Sequence, residues 1–163
     1  MDKLDLLAMK MAEYERGRSG QIQHFIKVHS FARLIGVGEK MNERDLFVLE
    51  AAALTHDIGI KKAEELYGRS DGELQEKLGP DIAREMLSGL GFEREHIERV
   101  CYLIAHHHTY DNIDGVDYQI LVEADFLVNL HEGGSGKDAI RSVYDKIFRT
   151  ESGKELCRLM FGI

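Results

Sequence analysis

Two histidines, two aspartates and one histidine run are the residues whose types and settings suit chemistry: His24, His56-Asp57, Asp125 and His106-His107-His108. The pair His56-Asp57 closes a stretch of small apolar residues, Ala51-Ala52-Ala53-Leu54. An imidazole and a carboxylate at the end of a buried helix are costly unless something compensates them, and one divalent cation compensates both. A surface aspartate beside a hydrogen-bonded histidine is the plainer alternative. His24 shares a helical stripe with Val28, Phe31 and Ile35, which points it towards the apolar side of its helix. A core histidine with one hydrogen bond fits that position as well as a ligand does. Asp125 lies inside Leu121-Val122-Glu123-Ala124-Asp125-Phe126-Leu127-Val128 and is expected to be buried. Buried aspartates are rare unless paired, with an arginine for example, or bound to a metal. At about 100° per residue, His107 and His108 flank the face of Val100 and Ile104, while His106 follows Arg99 outwards. A solvated helix end, where imidazolium suits the helix dipole, explains the run equally well.

The elements that must position these groups read as helices. Apolar residues recur at helical spacing nearly throughout. Leu4, Leu7, Ala8 and Met11 begin a first helix, which Gly17 to Gly20 interrupts. Ile22, Phe25, Val28, Ala32 and Ile35 carry a second, ending near Gly36 and Gly38. Asn42 is placed to cap a third that runs to His56. A short helix is predicted around Lys62 to Tyr67, followed by a polar loop. Pro80, the single proline, is predicted to open the next helix, 80–88, since proline is tolerated at a first helical position. Glu93 to about His108 forms a long helix, and Tyr118 to Leu130 is apolar enough for a strand or a buried helix, its length and neighbours favouring the helix. Two amphipathic helices follow the break at Gly133 to Gly136. The expectation is one all-α domain over residues 1–163, with a core at about 20–131 and C-terminal helices at 137–161.

Composition narrows the function. A chain of 163 residues fits a single domain, and 44% hydrophobic residues exclude disorder for its body. A net charge of −8 argues against a nucleic-acid surface, which needs clustered Lys and Arg. No apolar run approaches the ~18 residues of a membrane span. The start, Met1-Asp2-Lys3-Leu4-Asp5, is no signal peptide. Cys101 and Cys157 stand far apart and read as reduced thiols, so a cytoplasmic address is expected. Three tempting motifs fail. Gly133-Gly-Ser-Gly136-Lys137 lacks the earlier glycine of a phosphate-binding loop and has Asp138 where Ser or Thr belongs. Asp111 to Gly115 has Ile113 at a calcium-ligand position. Cys101, between Val100 and Ile104, is a core residue rather than a nucleophile.

In order and context, His24, His56-Asp57 and Asp125 resemble the H…HD…D signature of the HD-domain superfamily of metal-dependent phosphohydrolases. His24-Phe-Ile-Lys-Val28-His-Ser-Phe-Ala32 resembles the H-x-x-x-V-x-x-x-A block, and Leu49-Glu-Ala-Ala-Ala-Leu-Thr-His56-Asp57-Ile-Gly59 the A-A-x-L-H-D-I-G block. Gly79-Pro-Asp-Ile-Ala83, Ile104-Ala-His-His107-His108 and Glu123-Ala-Asp125 resemble the later ones. The resemblance covers roughly His24 to Leu130.

It implies an all-helical fold that brings His24, His56, Asp57 and Asp125 to one divalent metal. Two imidazoles and two carboxylates suit Mn, Fe, Co, Ni, Zn or Mg. The implied reaction is cleavage of a small phosphate ester, nucleotides included, by attack of metal-bound water. Asp57, His107 and His108 are then catalytic, and Lys61, Gln75, His107 and His108 face the substrate phosphate. Arg16 and Arg18 are weaker phosphate candidates. Members with two metals usually carry a histidine four residues before the glycine of the later block. Gln75 stands there, ahead of Gly79, so a single metal is expected. Thr109-Tyr-Asp-Asn-Ile-Asp-Gly lacks the Gly-Tyr-Pro of the cyclic-dinucleotide phosphodiesterases, and Ile58-Gly-Ile-Lys lacks the acidic pair of the alarmone hydrolases. No general base is evident, which makes a non-catalytic metal- and nucleotide-binding sensor the rival reading. The expected partners are a small phosphorylated substrate and a second copy of the chain through the C-terminal helices, with no nucleic acid and no membrane.

Overall fold

A computed structural model describes all 163 residues. Nine helices and no strand make up the chain: α1 Lys3–Tyr14, α2 Ser19–Gly38, α3 Glu43–Thr55, α4 Gly59–Tyr67, α5 Gly72–Gly89, α6 Arg94–His106, α7 Val116–Glu132, α8 Lys137–Ile147 and α9 Glu151–Phe161. Side chains start several of them. Asp2 and Asp5 form a capping box at α1. Asn42 accepts from the Asp45 N–H at 2.8 Å, Asp71 from Leu74 at 3.2 Å and Thr150 from Gly153 at 3.0 Å.

Helix α7 lies at the centre of this single domain, against α2, α3, α8 and α9. Its apolar residues are buried on nearly every side, so the chain around Asp125 is core throughout. Helix α2 packs on α3 and α7, α5 on α4 and α6, and α3 on α6. This arrangement sets the first turns of α2, the end of α3 and the middle of α7 against one another.

Helix α5 departs from the sequence expectation. It starts at Gly72, so the predicted polar loop is its first half and Pro80 lies inside it. Proline removes one helical N–H and normally costs about 3 kcal/mol there. Two close approaches hold the segment in place. A Cβ on Gly59 would stand 2.9 Å from the Gln75 carbonyl oxygen and 2.9 Å from the Gly79 nitrogen. A Cβ on Gly79 would stand 2.7 Å from Ile104 Cγ2. Packing against α4 and α6 therefore overrides the local proline signal.

The C-terminal helices are tied to α7 by the fully buried Glu123. Its carboxylate accepts from the Arg149 and Thr150 N–H groups at 3.0 and 3.1 Å, from Thr150 Oγ1 at 2.6 Å and from Gln119 Nε2 at 2.6 Å. Gly153 is required beside it, because a Cβ there would lie 1.9 Å from Glu123 Oε1. Both cysteines are free and buried. No helix is long and apolar enough to cross a membrane.

Candidate metal centre

Each ligand-type residue reaches the site from a different position in its helix. His24 projects from the second turn of α2, His56 and Asp57 from the turn that ends α3, and Asp125 from the middle of α7. All four are buried. His24 Nε2 lies 3.1 Å from Asp57 Oδ2 and 3.1 Å from Asp125 Oδ1. His56 Nε2 lies 3.2 Å and 3.3 Å from the same two atoms. Donors about 2.1 Å from an ion stand about 3 Å apart in neighbouring octahedral positions. The four residues thus have the spacing of one coordination shell.

Hydrogen bonds behind the imidazoles fix their orientation. A carbonyl oxygen can only accept, so His56 Nδ1 carries a proton and donates it to Ala53 O at 2.7 Å. His56 Nε2 then points at two carboxylates, is fully buried and makes no aligned hydrogen bond. That orphaned nitrogen calls for a proton or a cation. His24 Nδ1 pairs with Glu132 at the end of α7, in the arrangement by which a carboxylate orients a metal-binding imidazole. Gln21, one turn before His24, donates from Nε2 to Asp57 Oδ2 at 3.1 Å.

Without an ion the cluster holds protons in its place. Burial opposes charge on His24, but the hydrogen-bonding carboxylates of Asp125 and Asp57 outweigh it and push the imidazole up to about 10. His56 rises well above its ordinary value for the same reason. Burial works to raise Asp57 and Asp125, yet the neighbouring imidazoles, His56 foremost, hold both carboxyls well below the usual range. A divalent ion would replace two protons on this donor set, so the residues present fit one.

The later histidines and Gln75 form a second layer. His107 donates from Nδ1 to Ile104 O at 2.7 Å and turns Nε2 towards Asp57 Oδ1 at 3.5 Å. Gln75 donates from Nε2 to Ser70 O at 2.7 Å, which fixes its amide. Its Oε1 then lies 2.8 Å from His108 Nε2 and 3.3 Å from His107 Nε2. Burial, reinforced by His107, lowers His108 to about 4. His108 is therefore neutral at neutral pH and donates from Nε2 to Gln75. Asp57, His107 and His108 could hold an ion among themselves, but Gln75 Oε1 accepts from His108 Nε2, one of the ring nitrogens it would need.

A cavity of about 310 Å³ opens over the cluster. Its walls include His24, Asp57, Gln75, His108 and Asp125, joined by Gln21, Asn129 and Glu132. His56 and His107 lie behind the wall. Lys61, placed at the phosphate by sequence, is bound elsewhere. It donates to Tyr14 O at 3.0 Å, stands 4.8 Å from the Tyr14 ring centroid and does not line the cavity. Arg18 pairs with Glu64 and Glu15, both at 2.8 Å. The remaining histidines have other settings: His29 pairs with Glu50 at 3.0 Å, His96 lies against Phe47, His106 donates to Tyr102 O at 2.7 Å, and His131 is exposed.

Sequence reasoning missed Glu132, Glu76 and Tyr118. Glu132 is seven residues after Asp125, two helical turns along one face, and that spacing was its available signal. Glu76 accepts from the His108 N–H at 3.1 Å and from Thr109 Oγ1 at 2.9 Å. Tyr118 donates to His106 O at 2.8 Å, and its hydroxyl also meets Thr109 O. Together they hold the segment that presents His107 and His108.

The family model of the HD domain matches residues 22–147, and the chain belongs to the HD-domain family. A crystal structure described as a predicted HD superfamily hydrolase, from an uncultured Thermotogales bacterium, is similar with a TM-score of 0.65 and 26% sequence identity. The match covers 96% of this chain and 81% of that one. No curated protein sequence matches the chain.

Proposed function

We propose that this protein is a metal-dependent phosphohydrolase acting on a small phosphate ester, with nucleotides the first class to test. The observation that carries the reading is the orphaned His56 Nε2, set among three further donors with metal-shell spacing beneath an open polar cavity. The hydrolase description of the similar Thermotogales structure supports it.

His24, His56, Asp57 and Asp125 would hold the ion, which when bound supplies an acidified water and polarises a phosphoryl oxygen. The chain's own residues do the rest. Glu132 and the Ala53 carbonyl orient the two imidazoles. Asp57 turns one oxygen to the ligand cluster, where Gln21 donates to it, and the other towards His107 at 3.5 Å. Neutral His108 lines the cavity and has an N–H to offer a phosphate oxygen when the substrate displaces it from Gln75. Attack of water on phosphorus breaks the bond to the leaving oxygen; the proton the water sheds passes to solvent through the open cavity, and the leaving oxygen takes one from there.

The test is metal analysis of protein purified without chelator, followed by phosphate release from monoesters, diesters and nucleotides with Mn, Co, Ni or Mg. Metal at one ion per chain, and turnover abolished by Asp57→Ala, are expected. Protein without metal, indifferent to His56→Ala, sinks the site. The rival reading is a sensor that binds metal and nucleotide without turnover, and the hold of Gln75 on His108 Nε2 favours it. Tight binding with no release under any metal would establish it.

A further inference from the structure

We infer that the cavity takes a substrate presenting a single phosphate group on a neutral, hydroxyl-bearing remainder, and selects against polyphosphates. The inference rests on the phosphohydrolase reading and names its substrate class. Three carboxylates, Asp57, Asp125 and Glu132, stand in the cavity wall, and no Lys or Arg lines it. The bases nearest to it are committed elsewhere. Lys61 is held by the Tyr14 carbonyl and Arg18 by Glu15 and Glu64, while Lys27, outside the wall, pairs with the wall's own Glu132 at 3.5 Å from Oε2.

Lys27 pairs with one of the three carboxylates, so a divalent ion against the other two leaves the pocket with no net positive charge to offer a second phosphate. One phosphate can still bind, because the ion acts on its oxygens at contact distance while the carboxylates lie behind. A second and third phosphate would extend past the ion along a wall that offers carboxylates and no countercharge. Sites built for polyphosphates place several Lys or Arg groups, or a nest of backbone N–H groups, along that path. Beyond the ligand cluster, Glu132, Gln75 and His108, the polar side chains of the wall are Gln21 and Asn129, neutral amides at the α2 and α7 sides of the cavity. Amides read hydroxyls and carbonyls by hydrogen bonds and add nothing to phosphate charge neutralisation. Asn129 lies one turn after Asp125 on the same helix face and is exposed there.

Two measurements on the manganese-loaded protein test the inference. Calorimetry compares orthophosphate with tripolyphosphate at fixed free metal, and turnover compares a nucleoside 5′-monophosphate with its triphosphate. Orthophosphate binding tighter by about tenfold or more is expected, with the same order in kcat/KM. Asn129→Lys, which adds a cation to the wall, should narrow or reverse both preferences. Tripolyphosphate binding as tightly as orthophosphate, or equal turnover of the triphosphate, overturns the inference. Orthophosphate preferred in calorimetry with no ester turned over supports the charge selection and counts against the enzymatic reading instead. An Asn129→Lys protein with unchanged ratios counts against the placement of the phosphate path.

Discussion

Glu132 does for His24 what a backbone carbonyl does for His56: it takes the Nδ1 proton and leaves Nε2 turned to the site. Carboxylates in that position raise the basicity of a ligating imidazole and hold its ring, and losing them costs about 10–100-fold in metal affinity. Glu132→Gln is therefore expected to weaken manganese or cobalt binding by about tenfold or more in chelator competition, with the fold unchanged by circular dichroism. Unaltered affinity would leave Glu132 as a surface residue paired with Lys27. Gln75 sets a second expectation. Asp57, His107 and His108 already bring potential ligand atoms within 4.8 Å of one another, and the Gln75 amide fills the remaining side. Gln75→His should raise the bound metal from one ion per chain to two, read by elemental analysis. A constant count would show that the amide is not what limits the site. The four ligand candidates were legible in the sequence because each is a polar residue inside an apolar helical run. Glu132 and Glu76 were not, because nothing beside them in the chain is unusual and the partners that give them a role, His24 and His108, are distant in sequence.

At the scale of elements, α5 is where the reading from sequence and the structure part. Pro80 is the strongest local signal in its region, and as a helix start it is reasonable on propensity alone. The first half of the helix was hidden in Gly68 to Gly79, whose polar and glycine content resembles a loop. Its evidence is tertiary: Gln75, Gly79, Ala83 and Leu87, four apart, form one buried ridge against α4 and α6. The ridge is also what aims Gln75 at the histidines. Gly59, two residues after Asp57, meets the Gln75 carbonyl oxygen and the Gly79 nitrogen there. Gly59→Ala must push backbone apart, not a flexible side-chain end. Overpacking of this kind costs about 1–3 kcal/mol. The variant should lose that much in denaturant unfolding and should also bind metal less tightly, since Asp57 and Gln75 move with it. Wild-type stability would mean that α4 and α5 can separate without cost. By contrast Asn42 at α3 and the apolar stripes of α2 and α6 are local features that the packing reinforces, and α7 was readable from the length of its apolar run.

For the whole molecule, the buried cluster links folding, protons and metal. In metal-free protein His24 titrates at about 10 when folded, against 6.5 for an unperturbed imidazole. From pH 6.5 to about 10 the folded state then binds the extra proton, so the stability this group contributes is complete below pH 6.5 and is lost as pH rises. His56 shifts in the same direction. His108 acts oppositely: its folded value of about 4 makes it a contributor above pH 6.5 and a loss as pH falls towards 4. Asp57 and Asp125, both lowered, contribute above their ordinary 3.8 and lose that contribution in stronger acid. Chelated protein should therefore melt highest near pH 6.5 and decline on both sides. A bound ion displaces the imidazole protons, and metal uptake then releases them. The alkaline decline should vanish, so the melting-point gain on adding manganese to chelated protein should grow from about pH 6 to about pH 8.5. Asp125→Asn removes a ligand and one of the charges that hold the protons, and should flatten both the alkaline decline and the metal-dependent gain. A gain that is constant or shrinks across that range would show that the buried protons and the ion do not compete for the same nitrogens.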